Sequence, residues 1–419
     1  MRKTNVFLST FSFVLCFIGY PLVTTIFLPG TSDIEGISQS VTIPYRAFAL
    51  GLMLLVFFLN IKKPIAGGTL ALKVFLFYWA ALILRMIYDI YLREDVYLKD
   101  TSQHWLYVFG ICLPAIFTLM RSNISIDLNR AFNWVYFGLA LTLIITLFSN
   151  QSLWVASSLA VTREDANLAL NTISFGHLGT TGCVLSLYFL FEKKSGSWVK
   201  IVIFLVIGLS VFCMFRAASR GPILALFVIL FFWLFARGKN IFFNFLMVLV
   251  LLGLFVFFIQ YILILIENIA PVLADRLRET IFEGGAGERD AGYQAAIDAF
   301  VRNPLFGEQF AIFVGDGTYA YSHNIILDSL MAMGVFGGIV MLFILGSAVW
   351  IAFKNIRIGY KYYWVSLILI QQITSNMVSG TFYQDQLLSV LLTFHFLNQS
   401  SHKWTSKEVA NFKLRNIHR

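Results

Sequence analysis

The chain has 419 residues, of which 58% are hydrophobic and only 13% charged. A soluble domain carries roughly a quarter charged residues, and one core of this size cannot hide 43 Phe and 17 Tyr. Composition therefore excludes an ordinary soluble protein and predicts an all-α polytopic membrane protein, a single transmembrane domain over residues 1–419.

Apolar runs of suitable length fall near 6–28, 44–60, 74–92, 105–120, 131–149, 174–191, 201–218, 221–236, 241–265, 325–353, 362–380 and 385–398, which predicts about twelve spans. Arg2 and Lys3 precede the first run as in a signal peptide. That run continues to Leu28 without a small-residue cleavage site, so it reads as a retained first helix. Residues 201–236 are almost continuous. Gly221-Pro222 interrupts them, and proline suits a helix start better than its middle, which predicts a tight turn at Ser219-Arg220-Gly221. Cys16, Cys112, Cys183 and Cys213 each sit inside an apolar run and form no metal or disulfide pattern.

Most of the 31 lysines and arginines lie in alternate connections: Arg2 and Lys3; Lys62, Lys63 and Lys73; Arg121 and Arg130; Lys193, Lys194 and Lys200; Arg237 and Lys239; Lys354, Arg357 and Lys361; and the carboxyl-terminal stretch. Only Asp127, Glu192 and Glu408 share that side with them. Basic loops stay in the cytoplasm, so both termini are expected inside. The net charge of +9 is thus a statement about topology rather than about nucleic acid. Arginines on the other side need another reason. They include Arg46, Arg85, Arg93, Arg163, Arg216, Arg220, Arg276, Arg278, Arg289 and Arg302.

One connection on that second side is long, 267–323, while the others are short. Within it, 289–302 reads as an amphipathic helix stopped by Asn303-Pro304. A structured loop among terse ones is where function concentrates. Three features there carry chemistry. Arg216 and Arg220, four apart, are expected on one helix face at the membrane boundary, where a guanidinium is costly and suits phosphate or carboxylate oxygens. Arg289 opens the loop helix after Gly287-Glu288, and a helix amino terminus favours anions; the plainer alternative is an arginine paired with Glu288 or Asp290. In Tyr321-Ser322-His323-Asn324, the imidazole has the chemistry of a general base, or else anchors the next helix, and Asn324 is placed to cap that helix or orient the ring. Asp89 lies one turn from Arg85, which suggests an intramembrane pair. There is no GxxxxGK[ST] phosphate loop and no HExxH or DxD metal pattern.

Taken in order, Ser219-Arg220-Gly221-Pro222, then Arg289 with Tyr293-Gln294-Ala295-Ala296 and Asn303-Pro304-Leu305-Phe306-Gly307, then Ser322-His323-Asn324 with Leu327, Gly334 and Gly337-Gly338, resemble the O-antigen ligase and polymerase superfamily of bacterial envelope glycosyltransferases. The resemblance implies a fold of the class-C glycosyltransferase kind in the bacterial inner membrane, with its site facing the periplasm. It implies an undecaprenyl-diphosphate-linked oligosaccharide as donor, and neither cofactor nor metal. Arg220 and Arg289 match the family's diphosphate-binding arginines and His323 its base. Arg216, Arg163, Asn324 and Tyr293 are candidate substrate contacts around them. The partners implied are the lipid-linked glycan, membrane lipid and, for a polymerase, a chain-length regulator. Ser379-Gly380-Thr381-Phe382 and Asn171-Thr172-Ile173-Ser174-Phe175-Gly176 look more like polymerases. A ligase acting on lipid A core is the alternative, and a lipid-linked sugar flippase is a second one.

Overall fold

A computed structural model describes residues 2–28, 37–65, 68–94, 98–149, 165–167, 169–193, 195–238, 241–268, 270–283, 289–314 and 316–398. Nearly all of this is helix. Among the described residues nine helices are long and apolar enough to cross a membrane: α1 (Lys3–Phe27), α2 (Ser38–Leu59), α3 (Leu70–Leu92), α4 (Thr101–Ser122), α5 (Leu128–Ser149), α6 (Thr172–Glu192), α7 (Ser197–Ala217), α8 (Arg220–Arg237) and, later in the chain, the helix Ile325–Arg357. Between them α9 (Ile241–Glu267) bends by 51° between Leu254 and Val256, and counts as a tenth span if its halves form one. Large apolar side chains such as Phe148, Trp198, Phe242 and Phe257 are openly exposed on this bundle, as lipid contact requires. The protein is a multi-pass membrane protein.

Hydrogen bonds tie alternate helix ends to one another and so define two faces. On one, Asn5 and Asn60 exchange side-chain bonds, Arg121 donates to the Lys63 carbonyl at 2.8 Å, and Lys193 reaches Asn133 at 2.9 Å. Arg237 joins Glu192 at 2.7 Å, with the Tyr363 hydroxyl bonded to both. This face holds the described basic connections; Lys194, Lys239 and the carboxyl-terminal stretch lie outside the described residues. The opposite face holds the structured connection. It comprises α10 (Pro271–Arg278), α11 (Arg289–Arg302) and a short antiparallel pair, β1 (Ile312–Phe313) with β2 (Tyr319–Ala320). Here α11 has the bounds the sequence predicts.

The last two predicted spans differ from the rest. After α12 (Ile325–Arg357), α13 (Trp364–Asn376) and α14 (Gln386–Asn398) have 13 residues each. At about 1.5 Å per residue each is ~20 Å long, short of a hydrocarbon layer of ~30 Å. They are nonetheless the most enclosed helices among the described residues. Trp364 packs on Phe17 and Phe132, Phe394 on Phe13, and Phe396 on Phe75. A hairpin walled by other helices does not need to match the bilayer, because protein covers its ends. Both helices begin or end at the basic face, through Tyr363 and Asn398. Their connecting tip, 377–385, therefore stops ~10 Å short of a full span's length.

α12 is broken. Met333 and Gly334 leave helical geometry, Gly334 at φ 62°. In an unbroken helix Val335 N–H would bond the Met331 carbonyl. Instead Val335 N–H donates to the Pro304 carbonyl at 2.8 Å, and the Met331 carbonyl accepts from Glu308 N–H at 2.8 Å. The Asn303–Gly307 turn thus plugs into the gap. The two backbones approach so closely that a Cβ on Gly334 would lie 2.4 Å from Leu305 backbone, and one on Gly307 2.4 Å from Ala332 backbone. A second clamp holds the same segment. Asp89, fully buried, pairs with Arg85 at 2.9 Å and Arg93 at 3.6 Å and accepts from Phe310 N–H at 2.7 Å. The two arginines in turn donate to the Gly307 and Glu308 carbonyls.

Two substitutions test this docking through the thermal unfolding midpoint of detergent-solubilised protein. Gly334→Ala adds both a backbone collision and an unfavourable φ, and is expected to cost at least ~2 kcal/mol. Asp89→Leu strands two arginines and an amide, at about 3–5 kcal/mol. A variant as stable as the parent in either case refutes the corresponding clamp.

Candidate functional site

The site grows around the hairpin tip. Arg289, the first residue of α11, donates from Nη2 to the Ser379 hydroxyl at 3.2 Å. α11 lies against the segment before α12: a Cβ on Gly292 would sit 3.4 Å from the Tyr321 carbonyl. His323 follows directly, with its ring edge-on to Tyr321 at a centroid distance of 4.6 Å. The Arg289 charge reaches this ring. Arg289, His323 and Asn324 are therefore brought together, as the sequence suggests.

The His323 turn is built by its neighbours. Asp328, buried one turn into α12, accepts from Ser322 N–H at 3.0 Å and from its hydroxyl at 2.7 Å. The Asn324 side chain accepts from Ile326 and Leu327 N–H and donates to the Met377 carbonyl. Asn324 thus caps α12 and ties it to the hairpin tip; those bonds occupy its amide, and the orienting role toward the imidazole is not what they serve. His323 itself takes a left-handed backbone, φ 61°. Among the described residues the other non-glycine residue with positive φ is Ala218, φ 44°. Such conformations are strained and concentrate at functional sites. The His323 ring is half-buried and its Nδ1 has no hydrogen-bond partner. Burial, then the Arg289 charge, lower its pKa below the usual 6.5. It is accordingly the neutral, proton-accepting form at physiological pH.

Ala218 corrects one expectation. Its left-handed backbone ends α7, and α8 begins at Arg220. Arg216 and Arg220 therefore belong to different helices and do not share a face. Arg216 is buried in the last turn of α7. Arg220 turns toward α10, donating to the Arg276 carbonyl at 3.2 Å, to Glu279 at 3.5 Å and to the Thr280 hydroxyl. Arg276 answers with a bond to the Ala218 carbonyl at 3.5 Å, so the break and α10 hold each other. Arg220 adjoins the tip through Gly221, where a Cβ would lie 3.5 Å from Val378 and 3.9 Å from His177 Nε2. Tyr293 is half-buried one turn after Arg289. Arg163 and residues 284–288 lie outside the described residues.

Two participants escaped the sequence reading. Ser379 lies within a segment the reading singled out, but its bond to Arg289 spans 90 residues. His177 directly follows the Asn171–Gly176 segment, inside an apolar run. Nothing local marks it, because its neighbours come from α8, α11 and the hairpin.

Residues 203–342 match the family model described as O-Antigen ligase. No curated protein and no solved structure matches the chain. The matched stretch runs from α7 into α12 and contains Arg220, the whole of α11, the Asn303–Gly307 turn that fills the helix break, and His323. Over these residues the chain is similar to the O-antigen ligase family, whose members are glycosyltransferase-like enzymes.

Proposed function

We propose that this protein is a surface-polysaccharide polymerase: it moves a growing glycan from undecaprenyl diphosphate onto the next lipid-linked repeat unit. The observation that carries the reading is the gathering of Arg289, His323 and the Arg220–Gly221 step around one recessed hairpin tip. A recess below the membrane surface suits a reaction whose donor is anchored in lipid and whose acceptor sugar reaches down from water. The polymerase choice over the ligase rests on Ser379, in the polymerase-like segment, which holds Arg289. The charges gather at one end of the bundle, which favours an enzyme over a flippase with a charged mid-membrane cavity.

In this reading the loop face is periplasmic, both termini are cytoplasmic, and the bundle lies in the bacterial inner membrane as a class-C-like scaffold. Residues 267–323 form its one large periplasmic loop. His323 accepts the proton of the acceptor hydroxyl as that oxygen attacks the anomeric carbon. The bond from that carbon to the phosphate oxygen breaks, and its electron pair leaves with the lipid diphosphate. Arg220 and Arg289 stabilise the charge that develops there, the task a divalent cation performs in many sugar transferases. To do so, Arg220 exchanges its contacts with residues 276–280 for phosphate oxygens, and Arg289 adds phosphate to its Ser379 bond. Tyr293, half-buried one turn after Arg289, stands as a further substrate contact and a chain-length regulator as a partner; Arg216 is buried at the end of α7, and Arg163 lies outside the described residues.

Purified protein given a lipid-linked repeat unit is expected to yield a ladder of longer lipid-linked products without lipid A core. Product formed only when core is supplied means a ligase, and no transfer in either reaction returns the flippase. Arg220→Ala, Arg289→Ala and His323→Ala are each expected to lower transfer by at least ~100-fold while inserting normally. Full activity in His323→Ala removes the base assignment.

The pH profile gives an independent check. A histidine base works only when unprotonated, and a lowered pKa moves its loss of activity to lower pH. The acid limb of kcat/KM is therefore expected to have its midpoint below 6.5, the ordinary histidine value. A midpoint above that value contradicts the burial and Arg289 proximity described here.

A further inference from the structure

His177 sits on α6 where four elements meet. Its Nε2 is 2.9 Å from the Ser375 hydroxyl on α13. Its backbone carbonyl accepts from Gln371 Nε2 at 3.0 Å and from the Thr181 hydroxyl at 2.9 Å. Gln371 is fully buried, and its amide nitrogen also bonds Thr181. Gly221 of α8 lies against the ring, and the Arg289 charge from α11 reaches it. So the imidazole is locked in place and borders both arginine-bearing segments.

One atom of this arrangement has no bond. His177 Nδ1 is buried and has no hydrogen-bond partner. When the Ser375 hydroxyl donates to Nε2, the ring hydrogen resides on Nδ1. A buried N–H without an acceptor is costly, and such groups in native structures call for an explanation. Next to Arg289 the acceptor that fits is an anionic oxygen, which also satisfies the neighbouring guanidinium.

We propose that His177 is a third anion ligand of the site, its Nδ1–H donating to a phosphate oxygen of the lipid-linked donor's diphosphate beside Arg289. The assignment rests on the donor proposed above. It gives the α6 helix a direct part in binding, and Ser375 the part of a positioning residue that fixes the tautomer.

The test uses the full-length protein in detergent, with farnesyl diphosphate as a short lipid-diphosphate probe and farnesyl monophosphate and inorganic pyrophosphate as comparison arms. An asparagine amide nitrogen falls near the place of imidazole Nδ1, and a glutamine amide nitrogen near Nε2. His177→Gln, which preserves only the Ser375 side, is expected to weaken farnesyl diphosphate binding at least ~10-fold. His177→Asn, which preserves the donor, is expected to stay within about threefold of the parent. Both variants are compared at equal thermal midpoint and equal monodispersity. Equal weakening in the two variants, or none in His177→Gln, overturns the assignment, and so does equally tight binding of the monophosphate. Pyrophosphate binding as tightly as the farnesyl diphosphate overturns the lipid-linked source. Transfer activity separates this inference from the functional reading: a parent that builds the ladder while His177→Gln binds normally loses only the His177 role. A parent that neither transfers nor binds a diphosphate removes both.

Discussion

In a membrane no water reaches a broken helix, so the free amide and carbonyl at Met331 and Val335 must be satisfied by protein. The Asn303–Gly307 turn and its continuation supply both partners: the Pro304 carbonyl for one and the Glu308 amide for the other. This exchange is the constraint on which the loop face depends. It pins the middle of the long connection to the membrane body. α11, with Arg289, precedes the pinned turn, and the β1–β2 pair leading to His323 follows it. Both are therefore held at fixed places although they belong to a connection outside the spans. The exchange demands glycine on both backbones, which is why Gly307 and Gly334 occur where they do.

The arginines of this face divide into two groups by what they hold. Arg85 and Arg93 are structural. They neutralise the buried Asp89 and spend their remaining donors on the carbonyls of residues 307 and 308. Arg220 instead holds a carbonyl, a hydroxyl and the exposed Glu279, which a phosphate oxygen can replace, and Arg289 holds the Ser379 hydroxyl, to which a phosphate oxygen can be added. Charge count at the boundary does not separate these groups. The identity of the acceptor does, since a buried carboxylate partner is expensive to give up and a serine hydroxyl is not.

The short hairpin of α13 and α14 connects the fold to the site. Because it is enclosed, it can carry polar residues at depth, including the His395–Ser366 pair and Gln371. Because it is short, its tip stops inside the bundle and offers Ser375, the Met377 carbonyl and Ser379 to His177, Asn324 and Arg289. Three segments far apart in sequence thus share one floor.

Much of the fold was legible in the sequence for a simple reason. Uncharged runs of about 20 residues have few homes other than a bilayer, and every predicted run from 6–28 to 385–398 is helical. The amphipathic period of 289–302 and the Asn303-Pro304 stop mark α11, and among the described residues the basic connections lie on one face. Residue type likewise marked Arg220, Arg289 and His323, because guanidinium and imidazole groups are rare near an apolar bundle. Tertiary structure alone decided the rest. Hydropathy measures apolar content and cannot tell lipid from protein as the surrounding medium, so it gives 362–380 and 385–398 as spans without showing that the helices there have 13 residues each and are enclosed by protein. Helical spacing placed Arg216 beside Arg220, whereas the left-handed backbone at Ala218 parts them. His177 carries no local mark, and the segment that contains Ser379 does not show its bond to Arg289. Their place in the site comes from contacts between distant segments, and only the packed chain creates those contacts.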